Sequence, residues 1–461
     1  MAVPQLEREL GIEVYATQSA GIGGVIRQRF EDFEVEEVLV DGSRARIDQD
    51  RSSSACHPLG SSLFGSNHLL CLLVKRNWDT LSAVKIIADQ LGISMARIHT
   101  AGMKDARAVT AQHISIEDAS IEDVRKVEVR EVELRALGYV REELSSFYLL
   151  GNAFRITVGS ISHSRPIVEG RIHHVVQEVQ AAGGIPNFFG HQRFGTTRPI
   201  THQVGREIVH GDFEKAVMFL LAAPSLHEHP DSRRAREELQ SRWNFKAAET
   251  SFPKQLRYEH LMLRHLSRNP DDFVGALKRL PLNLQKLFVQ AYQSFLFNKF
   301  LSARVTQGFR LDEAQVGDYV VNLQRNGLPL TSMHKVVKRE DLSETNVAIK
   351  EGKMKIALPL IGFKQATSSG SQGAIEAQII GKEGICPSDF RITSIPEISS
   401  RGEIRTALAS LKDFSLDEIS KPHSDASSYE AKMSFMLHRG SYATVFLREL
   451  MKPSDLIASG Y

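Results

Sequence analysis

Along this chain the spacing of apolar positions changes several times, and each change predicts an element. In "GGVIRQRFEDFEVEEVLV", Gly23 to Val40, apolar residues run into a turn at Glu31-Asp32-Phe33 and out again, which predicts two strands around a tight bend. The run "LLCLLV", Leu69–Val74, reads as a buried strand ending in the polar turn "KRNWDT". Spacing then shifts to Leu81, Val84, Ala88 and Leu91, a helix with Asp79 or Thr80 as its N-cap and Gly92 as its stop. Alternation returns with Gln112, Ile114 and Ile116 set against Ala111, His113 and Ser115, predicting a strand with one buried face. A similar alternation recurs at Phe154, Ile156 and Val158. Residues 41–67, rich in Ser, Gly, Asp and Arg, read as a loop or a loosely ordered insertion.

From about Gly183 the pattern is different. "GGIPNFFGHQRFG" reads as a stiff loop leading into long helical patterns, the clearest being Leu284, Leu287, Phe288, Ala291 and Phe295, ending near Gly308. Residues 311–385 return to short strands punctuated by Gly and Pro, and "QATSSGSQGAI" near Gly370 reads as a surface loop. The last segment predicts a strand, a glycine turn and a helix that buries Ala443, Phe446, Leu447 and Leu450. No internal repeat is visible. Strands with a crossing helix make the first part an α+β pattern.

Composition narrows the class. With 461 residues, 42% of them hydrophobic, the chain can bury a large core and is expected to form two domains or more. Cys56, Cys71 and Cys386 form no CxxC pair, which points to a reducing compartment and away from disulfides and cysteine zinc sites. Charges in "MAVPQLERELGIEV" speak against a signal peptide, and the longest apolar run is too short to span a bilayer, so a cytoplasmic protein without a membrane partner is expected. Net charge is only +2, so any nucleic-acid surface must be local. Gly190–Gly211, with Arg193, Arg198, Arg206 and several histidines against Glu207, is such a candidate.

The motif search is mostly negative. GxxxxGKS/T and HExxH are absent, and "GIGG" at Gly21–Gly24 lacks dinucleotide-loop spacing. What remains is "HTAGMKDARAVTAQHISI", where Lys104, Asp105 and Arg107 crowd a turn between strand-like runs. A carboxylate so placed is a structural ion pair or a nucleophile, and these residues alone leave both open.

Seven segments in order carry a resemblance: "IRQRFEDFEVEE" (26–37), "KRNWDT" (75–80), "AGMKDARAVTAQ" (101–112), "GNAFRITV" (151–158), "GGIPNFFGHQRFG" (183–195), "AYQSFLFNKFLS" (291–302) and "RGSYATVFLRELMK" (439–452). Together they resemble the TruD family of transfer RNA pseudouridine synthases, in its archaeal branch, over essentially the whole chain. The resemblance implies an α+β fold: a pseudouridine synthase catalytic domain, with a mixed or antiparallel sheet flanked by helices, assembled from residues 1–182 and 391–461. An α/β TRUD insertion domain, 183–390, would interrupt it and form the other wall of an RNA cleft. It implies isomerisation of uridine-13 in the D-arm of tRNA, without metal or organic cofactor; the oligomeric state is left open, with a monomer favoured.

By the same resemblance Asp105 of the GxKD motif is the catalytic residue, acting at C1′ or C6 or removing the C2′ proton, in a pocket that excludes water. Arg27, rather than the adjacent Lys104, is expected to pair with it, and Lys104 supports the site. Phe154 would stack on the flipped uracil, Asn152 hydrogen-bond it, and Phe33 lie close by. Arg193, Arg198, Lys75 and Arg107 are the expected RNA contacts, with Lys299 and Arg304 weaker ones. Ala111 and Met103 depart from the common pattern without removing a catalytic group. Other classes are a non-catalytic RNA-binding or tRNA-folding factor, a synthase acting on another RNA site, a structural scaffold, and a nucleosidase using Glu31 or Asp32 as a second acid.

Overall fold

A computed structural model of the chain describes residues 2–48, 68–195, 197–422 and 427–461. Of the loop expected over 41–67, residues 49–67 lie outside the described residues. The chain divides into two compact units. One comprises Thr17–Gly184 with Ala409–Gly460, and the other Met1–Ala16, Ile185–Leu408 and Tyr461. These divisions fall at 16/17, 184/185, 408/409 and 460/461, where the sequence suggested only 182/183 and 390/391 and kept the first residues with the first unit.

The first unit is built on a sheet that has nine strands among the described residues. They are β1 (Val25–Ile26), β2 (Phe33–Leu39), β3 (His68–Arg76), β4 (Ile98–Thr100), β5 (Val109–Glu117), β6 (Val132–Val140), β7 (Leu149–Ile161), β8 (Leu411–Ser420) and β9 (Tyr429–His438). The main path runs β8-β9-β7-β2-β5-β3-β6, with β1 on β7 and β4 on β5. Every pairing is antiparallel except β2 with β5, so the sheet is mixed. Two strands late in the chain, β8 and β9, join the sheet through β7.

Among the helices that cover parts of this sheet are α1 (Thr80–Leu91), α2 (Arg165–Ala181) and α3 (Ala443–Met451). Asp79 caps α1 by accepting from the Ser82 amide at 2.8 Å, and Gly92 ends it at φ 66°. Its buried face is Thr80, Ala83, Val84, Ile87 and Ala88, so Leu81, expected inside, points to solvent. Val84, Ile87 and Ala88 pack with Leu69, Cys71, Leu73 and Ile114. The strand expected to bury one face, β5, buries both, because it is central, between β2 and β3. Helix α3 is buried all round, and its Arg448 and Glu449 pair at 2.5 Å, with Glu449 also accepting from Thr17.

The second unit is mainly helical, with a four-stranded antiparallel sheet among its described residues. Its long helix, Leu282–Thr306, matches the apolar spacing read there. Of the loop expected over 365–375, residues 366–369 are irregular, but a helix, Gly370–Glu383, takes the rest. Glycines at 370, 373 and 381 hide its period. Gly373 is required because a Cβ there would collide with the Ser368 carbonyl oxygen. Arg304, expected on the polar side of the long helix, is buried and holds Asp318 at 2.7 Å, and Lys299 pairs with Glu13 at 2.5 Å.

Candidate active site

Parity along the strands decides what meets on the helix-covered face of the first sheet. Residues paired across strands share a face, so Lys75, Thr110, Val35, Phe154 and Phe435 form one row. Glu37, Asn152 and Leu437 stand in the next row. The segment Ala101–Ala108 enters β5 over these rows, and three anchors hold its main chain. Gln112 donates to the Gly102 carbonyl at 3.2 Å. The Thr80 hydroxyl accepts from the Lys104 amide at 3.1 Å and reaches Gln112 at 3.2 Å. Lys75 Nζ donates to the carbonyls of Asp105 at 2.7 Å and Trp78 at 2.6 Å.

Arg27 lies at φ 56°, a left-handed conformation that costs a non-glycine residue about 1–2 kcal/mol. From there its guanidinium reaches Asp105 Oδ1 at 3.4 Å and lies 4.0 Å over the Phe33 ring. The Asp105 side chain is 37% exposed, against the sealed pocket expected for it. The carboxylate is thus partly open to solvent beside its Arg27 contact.

Lys104 turns away from this pair. Its ammonium meets Glu37 at 2.7 Å, both groups being buried, and His113 donates its main-chain N–H to the same carboxylate at 2.9 Å. Burial opposes the charge on Glu37, but hydrogen bonding from His113 and the charge of Lys104 hold its carboxyl below the usual range. Phe33 meets the edge of Phe154 at 6.2 Å, and Phe154 stacks on Phe435 at 5.3 Å. Phe154 is therefore largely packed, with little open surface. Asn152 stands two residues before it, and its Oδ1 is buried without a hydrogen-bond partner. An unpaired buried acceptor costs roughly 1–3 kcal/mol, a cost that a donor from a bound molecule relieves.

Two expected RNA contacts are corrected by burial. Lys75 is 0% exposed and belongs beneath the Asp105 turn. Arg198, in the second unit, spends its guanidinium on the carbonyls of Phe219, Leu220 and Ala223 and faces Glu228 and Glu259, and burial draws it down to about 10. Arg193, also there, does not stand free: it donates to Ser294 and Gln290, both at 3.2 Å. Arg107 is exposed. Asp32 is tied to Arg29 at 3.1 Å as part of the turn, which removes it as an independent second acid.

Reading the sequence missed Glu37, Thr80 and Gln112. The signal was present: Glu37 has the parity of Phe33 and Val35, and Lys75 that of Cys71 and Leu73, so both charges fall on inward positions. Among the described residues no group of three or more His, Cys, Asp or Glu side chains is arranged to hold a metal, and no helix is long and apolar enough to cross a membrane.

Comparison with known proteins places this arrangement in context. The profile of the family "tRNA pseudouridine synthase D (TruD)" matches residues 9–450. A protein of Methanosarcina barkeri described as "Probable tRNA pseudouridine synthase D" is 37% identical, with 99% of both chains covered. One of Archaeoglobus fulgidus with the same description is 33% identical over 97% of this chain and 99% of its own. A crystal structure from Methanosarcina mazei, described as a tRNA pseudouridine synthase D (TruD), superposes with a TM-score of 0.81 at 36% identity, covering 98% of this chain and 99% of that one.

Proposed function

The chain belongs to the TruD family of tRNA pseudouridine synthases, and from that premise we propose that it isomerises uridine-13 in the D-arm of tRNA, with Asp105 as its catalytic carboxylate. The reaction breaks N1–C1′, turns the uracil over and joins C5 to C1′, with C5 giving up its proton. It needs no outside reagent, but it does need a group that attacks or takes a proton and then leaves, and an ionised carboxylate meets that need at C1′, C6 or C2′. The observation that carries the reading is the Arg27–Asp105 pair at 3.4 Å, with the Asp105 side chain partly open to solvent and Arg27 seated on Phe33.

The rest of the site fits a flipped pyrimidine. A nucleotide lying on Asp105 covers the exposed carboxylate beside the Arg27 guanidinium. Asn152 Oδ1 accepts from the uracil N3–H, and Phe154 borders the base. Of the expected RNA contacts, Arg107 and Arg193 remain for phosphate. The catalytic role belongs to the first unit, and the second is the insertion.

The test is tritium release from [5-³H]uridine-labelled tRNA, with the modified position mapped on the product. Wild type should release tritium from one D-arm site, and Asp105→Asn, which keeps shape and removes charge, should be slower by more than about 1,000-fold. Comparable rates for the two proteins would remove Asp105 from the chemistry. Mapping to another position would overturn the uridine-13 assignment while leaving the reaction intact.

A further inference from the structure

We infer that Lys75 is a positioning residue for this reaction: its buried ammonium pins the main-chain carbonyl of Asp105 and thereby aims the carboxylate. The inference rests on Asp105 being the reacting group. Lys75 occupies an inward position of β3, in the row of Thr110, Val35 and Phe154, where an apolar side chain would pack without desolvating a charge. It is 0% exposed and forms no salt bridge among the described residues; its ammonium is spent on two carbonyls, Asp105 at 2.7 Å and Trp78 at 2.6 Å. These bonds tie the Asp105 turn to the polar turn that starts α1. Thr80, at the head of α1, holds the Lys104 amide at 3.1 Å, so the chain is gripped just before and just after the Asp105 side chain.

The grip matters because the contact it aims is long. Arg27 meets Asp105 at 3.4 Å, so a small drift of the turn breaks the pair. Misplacement of about 1 Å costs on the order of 100-fold in rate. Filling space does not require a charged side chain here, whereas bonding two carbonyls requires donors. The arrangement also titrates. Burial draws Lys75 down to about 8, opposed by the charges of Asp105 and Asp79 and reinforced by that of Lys104. When Lys75 loses its proton, two charge-assisted bonds become ordinary ones and the turn loosens.

The experiment measures single-turnover tritium release at saturating [5-³H]uridine-labelled tRNA for wild type, Lys75→Met, Lys75→Arg and Asp105→Asn. Rates are taken between about pH 6 and 9.5, alongside tRNA retention on filters and thermal melting. Lys75→Met should lose about 100-fold in rate while retaining tRNA as wild type does. Lys75→Arg, which keeps charge and donors, should recover most of that loss and lack the fall in rate that wild type shows through about pH 8. A folded Lys75→Met protein with the wild-type rate, or one impaired only in melting and tRNA retention, overturns the inference. If that variant does not fold, a wild-type rate that stays level through about pH 8 overturns it equally. Asp105→Asn separates the two claims: its inactivity beside an active Lys75→Met sinks the positioning role alone, and its full activity sinks the catalytic assignment and this inference together.

Discussion

With one guanidinium Arg27 meets Asp105 at 3.4 Å, the face of Phe33 at 4.0 Å and the Gly460 carbonyl at 3.5 Å. The ring holds the cation flat and the cation faces the carboxylate, so the pair is oriented although Asp105 is partly open to water. A half-exposed ion pair adds little to stability, about 1 kcal/mol or less, so its removal is expected to register in the reaction. Arg27→Ala should lower kcat/KM by roughly 100- to 1,000-fold, by analogy with deleting one preorganised charge-stabilising donor. Arg27→Lys should fall between, since a lysine cannot lie flat on Phe33 and face Asp105 at once. Full turnover by Arg27→Ala, measured by tritium release, would remove Arg27 from the site. Lys104, although adjacent in sequence, is not the partner of Asp105, as expected: its ammonium turns to Glu37 at 2.7 Å.

At the scale of elements, the site depends on β7 lying closely against β9. Gly151 pairs with His438, and Asn152 and Phe154 follow opposite Leu437 and Phe435. A Cβ at Gly151 would strike the Leu437 carbonyl oxygen. Gly151→Ala should therefore push the strands apart at the Asn152 row, costing about 1–3 kcal/mol and lowering activity with it. A urea midpoint equal to wild type would show that the sheet absorbs the methyl group. Strands and helices with strong local period, such as β3, α1 and the helix Leu282–Thr306, were legible from spacing alone. The helix Gly370–Glu383 was not, because glycines at 370, 373 and 381 break its period; a Cβ would strike the Val316 carbonyl at Gly370 and the Ser368 carbonyl at Gly373.

At the scale of the whole molecule, a pH effect on folding is expected from Glu376 of the second unit. Glu376 is buried there among Ser368, Gln372 and, nearby, Asp318. Burial pushes its carboxyl up to about 7 from an ordinary 4.5, against the hydrogen bonds from Gln372 and Ser368. The folded chain therefore keeps this proton at a pH where the unfolded chain has released it. The contribution is fully present below about 4.5 and is lost as pH rises through about 7. Glu376→Gln should remove that slope. Between those limits the stability of wild type relative to the variant should fall by up to about 3 kcal/mol, read as the difference between two melting curves at each pH. Parallel pH profiles for the two proteins would contradict the assignment.

The sequence by itself determined the family, through seven segments in fixed order, and the inward or outward parity of each strand, because alternation is a property of neighbouring residues. It also named Asp105 and Arg27 as a pair by resemblance. Only the tertiary structure decided which charges are spent inside the fold. Arg27 and Asp105 stand 78 positions apart, and Lys75 and Asp105 stand 30 apart, so their contacts follow from β1 lying on β7 and β3 on β5. Burial follows the same rule: Lys75, Arg198 and Arg304 look like surface cations in a string of letters and become internal ties once distant strands and helices close over them.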